Sequence, residues 1–286
     1  FMIRYCYLLL WLGVFSVAQA QSLTAAQVAA HRGDYEQAVE QWQLVLANTH
    51  NPAQRLQAWL GIAQASRYLG AYEKALATLQ TAIPIAEQTG KVSYQALLRT
   101  ELSKLRLSQG ETWLEEALEQ GETALKLARQ TKRSELVAEV LHHWGNLLTA
   151  DDDYEGAAEA YETALVRLYP RNRIALTQII DIEALHGKIL INQAQVTFLM
   201  EAEQARRKKR QNKQPFKASQ VALKTALQAA QNWSDSYSQV LGLIMISQIS
   251  QQIQTRLTQP SPSLKQMAYQ ALITAREMAN RLENVT

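Results

Sequence analysis

Gly33-Asp34-Tyr35-Glu36-Gln37-Ala38, Gly70-Ala71-Tyr72-Glu73-Lys74-Ala75 and Asp152-Asp153-Tyr154-Glu155-Gly156-Ala157 are three copies of one pattern: a turn, an aromatic residue, an acid and a small alanine. A fainter copy ends at Ala117, after a turn at Gly110. Each reads as a turn feeding a helix whose alanine lets it lie close to the helix before. Ala38, Ala75, Ala117 and Ala157 are 37, 42 and 40 residues apart. Self-similarity at a period of tens of residues marks a solenoid, in which each unit buries its apolar face only by stacking on the next.

Around these turns the apolar residues recur at helical spacing. In the first repeat Trp42, Val45 and Leu46 continue the buried face and Asn51-Pro52 closes it. In the second, Trp59, Ile62, Ala63 and Leu69 precede the turn, and Leu79, Ala82 and Ile83 follow; Pro84 predicts a kink or an early end there. The third has Leu102 and Ser103, then Gly121 and Ala124, with a turn about two residues longer. The fourth has Leu141, Trp144-Gly145 and Leu148, then Tyr161, Ala164 and Leu165. Two further pairs are fainter: a long helical stretch from Arg173 to about Ala205 followed by Ala222, Ala226 and Ala229, then Leu241-Gly242 and Met245, a turn at Pro260-Ser261-Pro262, and Ala268, Leu272 and Ala275. With 47% hydrophobic residues and few Gly and Pro, the composition favours helix throughout. The expected fold is all-α, a right-handed superhelical solenoid of about six antiparallel helix pairs spanning residues 21–286.

This pattern resembles the tetratricopeptide repeat (TPR), with its large residue, Leu-Gly pair, aromatic, and Ala-aromatic-Ala second helix. Small residues at Ala63, Gly145, Ala75 and Ala157 match its close-packing positions, and Trp59, Trp144, Trp42 and Tyr161 its gap-filling ones. The period exceeds the usual 34. It is similar to the longer repeats of kinesin light chains and of bacterial arrays preceding CHAT-type peptidase domains. The resemblance implies a groove on the concave face, lined by the first helix of each pair, that binds a protein or peptide segment.

Residues 1–20 read as a signal peptide, with Arg4 before the apolar stretch Tyr5 to Val17 and Ala18-Gln19-Ala20 as the cleavage site. Thirteen apolar residues are short of the roughly 20 that span a bilayer. The expectation is a periplasmic or secreted bacterial protein whose mature form lacks Cys6, and with it any disulfide, thiol nucleophile or cysteine metal site.

Asp151, Asp153, Glu155, Gly156 and Glu162 fall at positions 1, 3, 5, 6 and 12 of a calcium-loop pattern. Those twelve residues would have to be non-helical, whereas Tyr154 to Leu165 reads as the second helix of the fourth repeat. The acids instead suit a helix N-terminus. His142-His143 are adjacent, about 100° apart on a helix, and cannot converge on one metal. His142 is assigned to the groove and His143 to a helix contact. Ser219 and Ser247 lack a nucleophile elbow and no phosphate-binding glycine loop is present. No enzyme activity, catalytic residue, metal or cofactor is expected.

The strongest charge feature is Arg206-Arg207-Lys208-Lys209-Arg210 with Lys213 and Lys217, in a basic insertion at about 204–217. Without the leader the chain has 28 basic and 26 acidic residues, so the positive charge is local. It could attract an anionic membrane surface; only Phe216 accompanies it, so nucleic-acid binding by base stacking is not expected. By register, the concave face comprises Gln57, Leu60, Gln64, Arg67 and Tyr68, then Thr100 and Lys104, then Glu139, His142, Asn146 and Thr149. Such a mixed lining suits an extended peptide. The function expected is a non-catalytic protein-protein interaction scaffold; the alternative is the regulatory front of a CHAT-type peptidase whose catalytic part lies beyond this chain.

Overall fold

The computed structural model describes residues 23–168, 181–208, 216–233, 236–257 and 261–283. The expected signal peptide lies outside them. They form helices paired in sequence: α1 (residues 23–32) with α2 (Tyr35–Asn48), α3 (Pro52–Tyr68) with α4 (Tyr72–Gln88), and α5 (Val92–Ser108) with α6 (Leu114–Gln130). The remaining pairs are α7 (Ser134–Ala150) with α8 (Tyr154–Leu168), α9 (Ile182–Lys208) with α10 (Lys217–Gln231), and α11 (Tyr237–Arg256) with α12 (Pro262–Glu283). This is an all-α solenoid of antiparallel helix pairs.

Local chemistry sets the helix starts. The Asp34 carboxylate accepts the Gln37 amide at 3.1 Å, Asn51 accepts that of Ala53 at 2.9 Å with Pro52 following, and Asp153 accepts that of Gly156 at 2.9 Å. Each satisfies an amide that the first turn would leave unpaired. The acidic run of the apparent calcium loop is thus a helix junction: Asp151 ends α7, Asp152 takes the left-handed turn at φ 61°, and Asp153 starts α8. Gly70 takes the same turn at φ 73°, where a side chain would be strained.

Ala38, Ala75, Ala117 and Ala157 are fully buried, as are Ala226 and Ala271 on α10 and α12. In the last pair the buried stripe is Leu264, Ala268, Ala271 and Ala275, while Leu272, expected inside, is exposed. The core runs as three consecutive clusters, over α1–α3, α3–α9 and α9–α12. Close approach is enforced where glycine meets an aromatic ring. A methyl group on Gly61 would stand 2.3 Å from Trp42, on Gly145 2.4 Å from Tyr161, and on Gly187 2.0 Å from Trp233.

One local expectation needs correction. Pro84 lies inside α4, which continues to Gln88; Pro84 and Gln80, whose carbonyl loses its partner, both sit on the exposed side, where water can compensate. The third turn is about two residues longer than its neighbours, as expected; it contains a short 3-10 helix, Glu111–Trp113, and the Arg106 guanidinium stacks 4.1 Å over the Trp113 ring. Of the basic insertion, residues 204–208 complete the 27-residue α9 and Lys217 opens α10. Arg206 and Arg207 are exposed there, while Lys209, Arg210 and Lys213 lie outside the described residues. The long α9 thus contributes to the gap of 65 residues between Ala157 and Ala222.

The glycine contacts predict the sign of one substitution. In an unconstrained helix Gly→Ala stabilises by up to about 1 kcal/mol. At Gly145 the ring it would strike is fully buried and tethered through its hydroxyl, so Gly145→Ala is expected to destabilise by about 1–3 kcal/mol. A lower urea midpoint at unchanged slope is the expected readout.

Candidate partner-binding cavity

The first helices of successive pairs lie side by side, and each presents one polar stripe at helical spacing. On α3 the stripe is Gln57, Leu60, Gln64 and Tyr68; on α7 it is Glu139, His142, Asn146 and Thr149; on α9 it is Asp181, Lys188 and Asn192. The stripes are joined rung by rung. Arg67 of α3 meets Glu101 of α5 at 2.6 Å, and Lys104 of α5 meets Glu139 of α7 at 2.7 Å. From α7 the ladder continues to α9, where the Asn192 amide donates to His142 Nε2 at 3.0 Å and to Asn146 Oδ1 at 2.6 Å. The Tyr161 hydroxyl also donates to Asn146 at 2.8 Å. At the other end Arg67 packs 4.4 Å over the Tyr68 ring, and Tyr68 stacks on Tyr35 at 4.6 Å.

The two adjacent histidines take opposite tautomers. His142 accepts at Nε2, so its proton sits on Nδ1. Behind it, Ser103 gives its hydroxyl proton to the Ala117 carbonyl at 2.5 Å, so His143 must donate from Nε2 to Ser103 Oγ at 2.8 Å. Although a His–Ser contact has the geometry of a base and nucleophile, Ser103 is fully buried with its proton already committed. The pair ties α5, α6 and α7 together. Ser219 is likewise engaged, bonding to Glu201 across α9 and α10. Among the described residues no three His, Cys, Asp or Glu side chains gather as a metal site.

Burial holds both histidines neutral. It lowers His142 to about 4, against the pull of Glu139, and takes His143 well below its ordinary value. Burial pushes the Glu139 carboxyl up, but Lys104, His142 and Lys188 outweigh it and bring it to about 2.

In front of the ladder is a cavity of about 970 Å³. Gln57, Leu60, Gln64 and Tyr68 of α3 and Glu139 of α7 line it. The other six residues assigned to the concave face, Arg67, Thr100, Lys104, His142, Asn146 and Thr149, lie on the same helices but bond within or between layers. Thr100 is buried, its hydroxyl returned to the Ala96 carbonyl. The periodicity around the turns did not reveal the rest of the wall. His31 and Arg32 come from α1, Tyr35 from α2, Lys188 from α9, Ser236 and Ser238 from around the start of α11, and Arg281 from α12. The array curls until its last pair faces its first: Tyr237 meets the Tyr35 ring edge-on at 6.0 Å and packs against Gly33.

No protein-family model matches this chain, and no curated protein matches its sequence. Solved structures do match. A Rap protein complexed with competence and sporulation factor aligns over 91% of this chain and 68% of its own at 12% identity, with a TM-score of 0.60. The apo quorum sensor NprR from B. thuringiensis aligns over 94% and 69% at 12% identity, with a TM-score of 0.56. A STAND protein with a tetratricopeptide repeat sensor from Pyrococcus horikoshii aligns over 92% and 43% at 15% identity, with a TM-score of 0.51. The fold is TPR-like. At these identities the likeness concerns the fold alone, and the CHAT association has no counterpart among these three.

Two predictions follow from the ladder. Glu101 is only 2% exposed, so Arg67→Ala strands a buried carboxylate and is expected to cost about 3–5 kcal/mol, whereas the apolar double variant Arg67→Met/Glu101→Leu recovers most of the loss. Urea unfolding of the three chains checks this. The second concerns pH. The unfolded chain protonates His142 near 6.5 and the folded chain only near 4, so stability is complete above 6.5 and falls as pH drops towards 4. The loss is roughly 3 kcal/mol from this group, with His143 adding in the same direction. His142→Gln, which keeps an acceptor for Asn192, is expected to flatten that part of a stability–pH curve.

Proposed function

We propose that this chain is a non-catalytic scaffold that holds a short protein or peptide segment in its concave cavity. The observation that carries this is the cavity itself, enclosed by helices from both ends of the array. Its 970 Å³ lies at the upper end of the roughly 300–1,000 Å³ range of small-ligand pockets. A folded partner would not enter; a few residues of extended chain would. Gln57 and Gln64 offer amide groups to a peptide backbone, and Leu60 with the Tyr35–Tyr68 stack offers apolar and aromatic anchors. The Rap protein of similar fold is complexed with competence and sporulation factor, which supports a ligand-holding role for this architecture. The leader-like residues 1–20 support a periplasmic or secreted setting. No residue of this chain favours the peptidase-sensor alternative.

Peptides selected from a random library on the full chain provide the test. They are expected to bind the native chain at least about tenfold more tightly than Gln64→Trp, a loss of about 1.4 kcal/mol, while thermal unfolding of the two chains coincides. Equal binding to both would place the peptides elsewhere and contradict the proposal.

A further inference from the structure

We infer that the occupant of this cavity is an acidic peptide segment and that Lys188 is its anchor; this rests on the peptide-binding role proposed above. The charges on the wall and in the ladder behind it do not balance. Arg67 is matched by Glu101 and Lys104 by Glu139. Asp181, the other acid on the wall, accepts the Ala184 amide at 3.0 Å and caps α9. Arg32 and Lys188 also line the cavity, and neither forms an ion pair among the described residues. Setting aside Arg281, which has contacts of its own, four cations face three acids, and each acid already has a partner.

Lys188 is the better placed of the two unmatched cations. It shares the α9 stripe with Asn192, one turn from the last rung of the ladder, and is only partly exposed. It lines the same cavity as Glu139 and Tyr68, and its charge favours the ionised form of both. Tyr68, on the same wall, lies within that field. Burial alone would raise its hydroxyl, yet Arg67, Lys188 and Lys104 bring it below the ordinary phenol value. A walled cavity focuses such a field more strongly than an open surface. An amide or hydroxyl on the occupant would leave the surplus unanswered, whereas a carboxylate accepts a charge-assisted hydrogen bond from the ammonium. The occupant is therefore an extended segment with Asp or Glu side chains, one of them reaching Lys188 and its apolar neighbours lying on Leu60 and the tyrosine stack.

Two labelled synthetic peptide pools of equal length test this by fluorescence anisotropy on the full chain. They share randomised neutral positions and differ only in carrying Asp/Glu or Asn/Gln at alternate positions. The acidic pool is expected to bind at least about tenfold more tightly, with the advantage shrinking as salt is added. Lys188→Gln is expected to abolish the preference without weakening the amide pool, and Lys188→Arg to restore it. If both pools bind equally and both are lost in Gln64→Trp, the cavity holds peptides but the charge assignment is overturned. If Lys188→Gln weakens both pools alike, Lys188 is a structural residue and not an anchor. If neither pool binds, this inference and the proposed function are overturned together.

Discussion

The architecture depends on how closely two helices can approach. At three helix contacts a glycine faces a large ring: Gly61 beneath Trp42, Gly145 beneath Tyr161, Gly187 beneath Trp233. Buried alanines hold the second helices equally near. Close packing of this kind tolerates little volume change in either direction, so it sets the spacing between successive first helices. Only at a regular spacing can one side chain per helix reach the next across the concave face.

That reach is what the polar ladder uses. Arg67, Glu101, Lys104, Glu139, His142 and Asn192 span four first helices, with a side-chain contact at every junction. Buried ion pairs contribute little net stability, because desolvation offsets most of their attraction. Their effect here is geometric, since a slip of one turn at any junction would separate a donor from its acceptor. The ladder also consumes most of the charge on the concave face. What remains uncommitted, Lys188 above all, gives the cavity its electrostatic character.

The repeat was legible because its signal is local. A small residue at a fixed offset from a turn, followed by apolar residues at helical spacing, identified α2, α4, α6 and α8, and the helix caps explained the false calcium loop. The fourth repeat also disclosed that His142 and His143 point to different surroundings. The cavity was only half legible. Gln57, Leu60, Gln64, Tyr68 and Glu139 could be placed by helical register, but register does not say which polar residues will be taken up by the neighbouring layer. Thr100 and His142 look like groove residues and are buried in contacts. The contributions of Arg32, Lys188 and the start of α11 arise from curvature accumulated over the whole array, which no local pattern encodes. Leu272 was misplaced for a related reason: the alanines of α12 bracket two possible faces, and packing against α11 selects Ala271.

The central claim is that the array curls until its first turn meets α11 and closes one cavity. In the structure a Cβ at position 33 would lie 3.1 Å from that of Tyr237, so a shift of a few tenths of an ångström brings the two into the roughly 3.5–4.5 Å range that a disulfide bridges. The direct measurement is oxidative cross-linking of Gly33→Cys/Tyr237→Cys in a chain whose native Cys6 is replaced by Ser. The closed array predicts a rapid intramolecular cross-link in native buffer that disappears in urea and in either single variant. No cross-link in native buffer, or one formed equally in urea, would contradict it.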